Sequence, residues 1–257
     1  MGRPKFFLNL VIISICALAV PLHAQEQFPV GTVIAIVLDR TLDSRNIKPG
    51  QRIVARVAQE VPLEGKRVIP VRSKVFAEIT EVEDRLGQAK LGLRFNRLEL
   101  GKTEFAISTQ MRALASVMAV DSARTEYSPG SDQYVRSATT TEQIGGDVVY
   151  RGAGTVENEI GEVVGKPVYG GVLVTVVNHP DSKCDGMPVS KTPQAVWLFS
   201  AHACGVYGIS RLQFENGRDA KAGEILFNRI NKRDWELTEV NLPAGTAMLL
   251  VITGAPH

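Results

Sequence analysis

The 257-residue chain is poor in the features that most often announce a function: three cysteines, 6% aromatic residues and a formal charge of only +2. No Gly-x-Ser-x-Gly elbow and no His-Glu-x-x-His pair occurs, which removes the serine-hydrolase and zinc-helix patterns. The segment Gly161-Glu162-Val163-Val164-Gly165-Lys166-Pro167 lacks the glycine spacing of a phosphate loop, and Pro167 stands where a hydroxyl would hold magnesium. Lys and Arg total 29 against 27 Asp and Glu, and residues 1–24 hold two of the basic and none of the acidic ones, so the remainder is 27 against 27. A balanced chain without a basic block does not displace the counterions of a phosphate backbone, so nucleic acid is excluded as a partner. With that many carboxylates some pair falls at glycosidase separation in any fold, so pairs such as Glu81 and Asp84 carry no information. The sequence designates no catalytic residue, no metal ligand set and no cofactor.

The N-terminus carries the strongest positive signal. Arg3 and Lys5 precede an apolar run from Phe6 to Val20, followed by Pro21-Leu22-His23-Ala24 and the polar Gln25-Glu26-Gln27. This is the order of a secretory signal peptide, and cleavage is expected after Ala24. Cys16 lies inside the apolar run without the small residues that precede a lipidated cysteine. No second apolar run of membrane length follows, so the mature chain is expected to have no transmembrane anchor and to work in the periplasm or outside the cell.

Cleavage leaves Cys184 and Cys204, and an oxidising compartment favours joining them. Such a loop is worth about 3 kcal/mol on the chain-entropy model. The alternatives are a zinc site drawn from His179, Cys184, His202 and Cys204, whose spacing matches no compact finger, and a thiol nucleophile beside His202.

The dominant period beyond the signal is two. Val33–Leu38, Ile53–Val57, Lys74–Ile79 and Lys90–Phe95 read as strands, and the phase change between Phe95 and Leu98 calls for a bulge near Asn96-Arg97. Gly171–Val177, Ala195–Phe199 and Ala247–Ile252 are continuous apolar runs, as in strands covered on both faces. Met111–Val120 has alanine-rich helical potential, although its valines allow a strand. Residues 122–165 read as a long loop-rich excursion, where a partner surface is sought at Tyr127, Tyr134, Asp147, Tyr150 and Arg151. Of the aromatics Trp197, Phe199, Tyr207 and Trp235, core packing is the expected use, with stacking on sugars or a protein as the alternative.

One device repeats. Pro29-Val30-Gly31-Thr32 and Pro243-Ala244-Gly245-Thr246 each precede an apolar strand, and Pro70-Val71-Arg72-Ser73 is a fainter copy. The pattern predicts a turn in which glycine takes a positive φ and the hydroxyl bonds the turn backbone. Matched starts at the two ends of the mature chain predict that their strands meet in one architecture.

Residues 28–100 resemble the periplasmic β-barrel domain of TrbI-like channel proteins of conjugation and type IV secretion. The resemblance rests on Pro29–Ile34, Leu42-Asp43-Ser44, Pro49-Gly50-Gln51, Ala55-Arg56-Val57, Val68–Ser73 and Leu93–Leu98. Arg72 departs from it, standing where that pattern usually has glycine. The chain is also similar, over nearly its whole length, to uncharacterised exported proteins of soil bacteria, through Arg112–Ser116, Gln143–Gly152 and Cys204–Gly208. The resemblance implies a fold and a compartment and carries no activity.

The expectation is therefore an all-β protein, a barrel or sandwich of short strands with a long irregular central excursion. Its parts are a signal peptide at 1–24, an N-terminal β module at 25–110, a loop-rich connector with a short helix at 111–165, and a C-terminal β module at 166–257 that shares a core with the first. Function is expected to be that of a non-enzymatic structural or binding module of the cell envelope, partnered by another envelope protein or a glycan. An envelope glycan hydrolase with an unrecognised carboxylate cleft is the alternative.

Overall fold

Period-two patterning organises the computed structural model, which describes residues 28–254 apart from 64, 66, 125–142, 147, 152–154, 159, 169–170, 179–182, 190–191, 196–197, 219–222, 232–234 and 236. The chain runs through β1 (Val33–Leu38), β2 (Leu42–Asp43), β3 (Arg52–Val57), β4 (Val61–Pro62), β5 (Val68–Ile69), β6 (Lys74–Arg85), β7 (Gln88–Leu100), β8 (Thr103–Ala106) and β9 (Ser108–Ala115). Helix α1 (Val117–Arg124) follows, then β10 (Val148–Arg151), β11 (Thr155–Asn158), β12 (Val163–Val168), β13 (Gly171–Val174) and β14 (Gln194–Ala195). The last strands are β15 (Gly205–Tyr207), β16 (Leu212–Asn216), β17 (Glu224–Ile230), β18 (Asn241–Leu242) and β19 (Ala247–Gly254). The fold is all-β, a nearly closed barrel.

The main sheet runs β15-β9-β19-β1-β3-β6-β7-β17-β16, with β8 also on β7. At one end the ring shuts. β8 pairs with the second half of β7, Ile107 N–H donates to Asn96 O (3.0 Å), and the chain continues directly into β9, which pairs with β19. At the other end β7 and β9 diverge, and the hairpin β16–β17 enters the gap by pairing β17 with Gln88–Arg94 of β7. Strands from opposite ends of the described chain meet, since Val33–Val37 pair antiparallel with Val251–Ala247.

The expected bulge is present: Phe76 faces Arg97 and Ala77 faces Phe95, which leaves Asn96 as the extra residue of β7. Phe95 and Leu98 are thereby both buried. The repeated turn is also as expected at its glycines. Thr32 N–H donates to Pro29 O (3.1 Å) and Thr246 N–H to Pro243 O (3.0 Å), with Gly31 and Gly245 at φ 85° and 87°. The Thr32 hydroxyl adds a bond to Pro29 O (2.6 Å). In the third copy Ser73 N–H donates to Pro70 O (3.2 Å), and Arg72 itself takes φ 69°.

Two apolar layers result. Ile34, Ile36, Ile53, Ile79, Leu93 and Phe227 fill the barrel. Val33, Ala35, Ala113, Ala115, Leu249 and Val251 face outward into a second layer with Val156, Val174, Leu198 and Phe199. That is why β1 and β19 read as continuous apolar runs, while β3 and β6, covered on one side, alternate. The second layer belongs to a smaller sheet, β10-β11-β12-β13-β14, pinned to the barrel by Gln59 Nε2 donating to Val172 O (3.0 Å) and Val33 N–H donating to Gln194 Oε1 (3.1 Å).

The structure corrects three expectations. Met111–Val120 is no single element: β9 ends at Ala115 and α1 starts at Val117, because Ser116 Oγ accepts the Ala119 N–H (3.1 Å) as a helix cap while β19 and β15 claim the preceding residues. The excursion 122–165 is only partly irregular, since β10, β11 and the start of β12 lie within it. Trp235 is 73% exposed and packs in no core, whereas Phe199 is fully buried and Tyr207 half-buried; Trp197 lies outside the described residues.

Candidate binding groove

Construction of the site begins at a bulge in β9. Ala113 faces Leu249 but Met111 faces Leu250, so Arg112 is an added residue whose side chain turns out of the barrel. It is fully buried there. Nε donates to Ala203 O (2.9 Å), Nη1 to Asn178 Oδ1 (2.9 Å) and Nη2 to Val177 O, and Asn178 Nδ2 in turn donates to Met187 O (3.1 Å). Among the described residues no carboxylate pairs with Arg112, so carbonyl dipoles carry its charge and burial lowers its pKa. The nearby His202 imidazole is also held below its usual value, first by burial and then by repulsion from Arg112.

The guanidinium thus gathers the segments that carry the two cysteines. Cys184 and Cys204 are joined in a disulfide with Cα atoms 6.0 Å apart, and Cys184 Sγ rests 3.4 Å from Arg112 O. The zinc alternative loses both thiolates to this bond, and His179 lies outside the described residues. Disulfides of this kind persist in oxidising compartments, so the bond points to a non-cytoplasmic environment. The Tyr207 hydroxyl braces the same corner, accepting from Cys204 N–H (3.1 Å) and donating to Cys204 O (3.2 Å). Among the described residues no helix is long and apolar enough to cross a membrane.

Beside the disulfide lies an open groove of about 880 Å³, within the size range of ligand sites. One bank is β9 with β15, the other is β16, and residues 183–187 form a wall. Val206, Phe214 and Leu226 supply apolar surface and Lys183, Asp185, Glu215 and Arg218 charge of both signs, while the buried Met111, Leu212 and Glu224 also border it. The banks are tied at one end by Asn216. Its Oδ1 accepts the Met111 N–H (2.7 Å) and its Nδ2 donates to Met111 O (2.9 Å).

Of the residues singled out from sequence, the cysteines border this groove. Tyr150 and Arg151 lie in β10, the edge strand of the small sheet, and Tyr127, Tyr134 and Asp147 fall outside the described residues. Arg112, Asn216 and Lys183 went unmarked as site residues. A lone arginine inside an apolar strand was a legible signal for the first, because a buried guanidinium must find acceptors. Nothing local distinguishes the other two. No family model matches the chain, and neither a curated protein nor a solved structure matches it.

Proposed function

We propose that the protein is an exported, non-enzymatic binding module of the cell envelope whose ligand occupies the groove between β9 with β15 and β16. The observation that carries this reading is the groove itself: it is open, lined by apolar and charged groups together, and walled by a disulfide-anchored segment. The basic, apolar and small-residue order of residues 1–24 supports export, and the resemblance of residues 28–100 to the TrbI-like periplasmic domain supports the same compartment.

The test places a photoreactive side chain at exposed Lys183, with a control at exposed Lys102 in the turn between β7 and β8. Protein from the native envelope fraction should start near Gln25 by intact mass and give a discrete adduct from position 183 and none from 102. Retention of Met1 in a cytoplasmic pool, or equal labelling from both positions, overturns the proposal. Release of soluble sugar from purified envelope glycan, abolished by Glu215→Gln, would replace it with the hydrolase.

A further inference from the structure

Four apolar side chains collect at one tip of the barrel, and core packing explains none of them. β3 accompanies β6 only from Lys74 to Glu78, and the rest of β6 runs on with β7 to a two-residue turn at Leu86-Gly87. Two connections bring the chain that follows β17 onto this turn. Asn231 N–H donates to Gly87 O (2.8 Å), and Leu86 and Leu237 form an antiparallel bridge. Leu86, Ile230, Trp235 and Leu237 are 62%, 58%, 73% and 57% exposed. Ile230 lies in the phase of Leu226 and Asn228, opposite to the buried Ile225 and Phe227, and is level with exposed Gln88. Leu86 occupies a turn position, where polar residues are usual. Among the described residues, the leucines and the tryptophan that are exposed are all at this tip.

The exposed charge beside the patch is cationic. Arg85, next to Leu86, has its side chain 74% exposed, whereas its partner Glu83 is 25% exposed and is shared with Lys90. Arg211 is exposed beside Ile230: its O accepts the Ile230 N–H (3.4 Å), and its Nη1 donates to Asn231 Oδ1 (3.0 Å). Asp84, the other carboxylate of the hairpin end, has its Oδ1 buried. Among the described residues of this tip Arg85, Lys90, Arg211 and Arg229 outnumber Glu83, Asp84 and Glu239, and the most exposed of them are arginines. In the sequence leading to Leu237, Lys232 and Arg233 are offset by Asp234 and Glu236.

Area and charge together decide what such a tip fits. Four side chains of this size, each more than half exposed, offer on the order of 400 Å² of apolar surface. A stable protein partner or a second copy takes about 800 Å² from each side, so the tip is too small for a folded partner. A bilayer makes no such demand. Leucine, isoleucine and tryptophan enter the boundary between headgroups and acyl chains, where the indole N–H stays at the polar level, and arginines beside them meet anionic headgroups. We infer that this tip docks the protein reversibly on an anionic lipid bilayer, with Leu86, Ile230, Trp235 and Leu237 in the interface and Arg85 and Arg211 at the headgroups. Docking of this kind needs no spanning segment and is independent of the groove and its ligand.

The experiment measures co-sedimentation of the mature, oxidised full chain with vesicles of phosphatidylglycerol and phosphatidylcholine in equal parts. The parent protein should bind, and pure phosphatidylcholine should hold it at least about fivefold more weakly, as expected for one cation at the headgroups. Leu86→Ser combined with Trp235→Ser should lower the partition coefficient by about tenfold or more, because half of the inserted apolar surface is gone. Leu237→Ser alone should lower it in the same direction, and Met118→Ser, an exposed apolar residue on α1, should leave it unchanged. All of these side chains are exposed, so each variant should keep the parent's urea midpoint. No binding of the parent to the mixed vesicles overturns the inference, and so does undiminished binding by the combined variant or equal binding to pure phosphatidylcholine. Sedimentation velocity without vesicles supplies the remaining arm: self-association of the parent that the combined variant abolishes would identify a second copy as the occupant and overturn it too.

Discussion

Arg112 is the residue on which the groove wall depends most directly. Its guanidinium serves Val177 O, Asn178 Oδ1 and Ala203 O, which lie on segments about to be joined by the disulfide. Truncation leaves buried acceptors without donors, a cost of roughly 1–3 kcal/mol for each group. Arg112→Met should therefore lower stability by at least about 2 kcal/mol in urea unfolding, and Arg112→Lys should recover little, because the three donors of an ammonium sit on one atom and cannot reproduce the spacing of Nε, Nη1 and Nη2 on the planar guanidinium. An unchanged urea midpoint in the Met variant would contradict this. His202, next to it, supplies a pH dependence. Its folded pKa lies below the unfolded value, so as pH falls the unfolded chain takes up the proton first. Its contribution is complete above about 6.5, the ordinary histidine value, and is lost as pH falls toward the depressed one. His202→Gln should flatten the loss of thermal stability below that pH, and a slope identical to the parent protein would show that other groups set it.

Among the elements, the three Pro-led turns form an internal comparison. All close the same hydrogen bond, but two place glycine and one places Arg72 at positive φ. A side chain in that region costs about 1–2 kcal/mol, so Gly31→Ala should destabilise by about that amount. Arg72→Gly should be neutral to stabilising by up to about 1 kcal/mol, since relief of strain is partly offset by the flexibility glycine adds to the unfolded chain. Chemical denaturation of the two variants checks both signs together. These turns, the Asn96 bulge and the strands they punctuate were legible in the sequence because each is decided within a few residues. The division of Met111–Val120 was legible only in part: Ser116 is a capping residue by type, but the pairing of Ala113–Ala115 with β19 and β15 outweighed alanine's helical preference.

On the scale of the whole molecule, β19 lies between β1 and β9, and loss of it would leave both with open edges and expose the barrel core. Deletion of residues 242–257 should yield insoluble protein, or soluble protein that binds a hydrophobic dye and lacks near-ultraviolet circular dichroism. A cooperative unfolding transition from residues 25–110 alone would show instead that the N-terminal strands need no partner from the far end. The sequence by itself determined the strands Val33–Leu38, Ile53–Val57, Lys74–Ile79, Lys90–Phe95 and Ala247–Ile252, the Pro-led turns, the all-β class and the expected Cys184–Cys204 bond, because alternation, φ preference and cysteine count are local or compositional. Only the tertiary structure decided where the barrel stays open. The Asn216–Met111 tie spans 105 positions and the Arg112–Ala203 bond spans 91, and no local pattern encodes contacts at such separation.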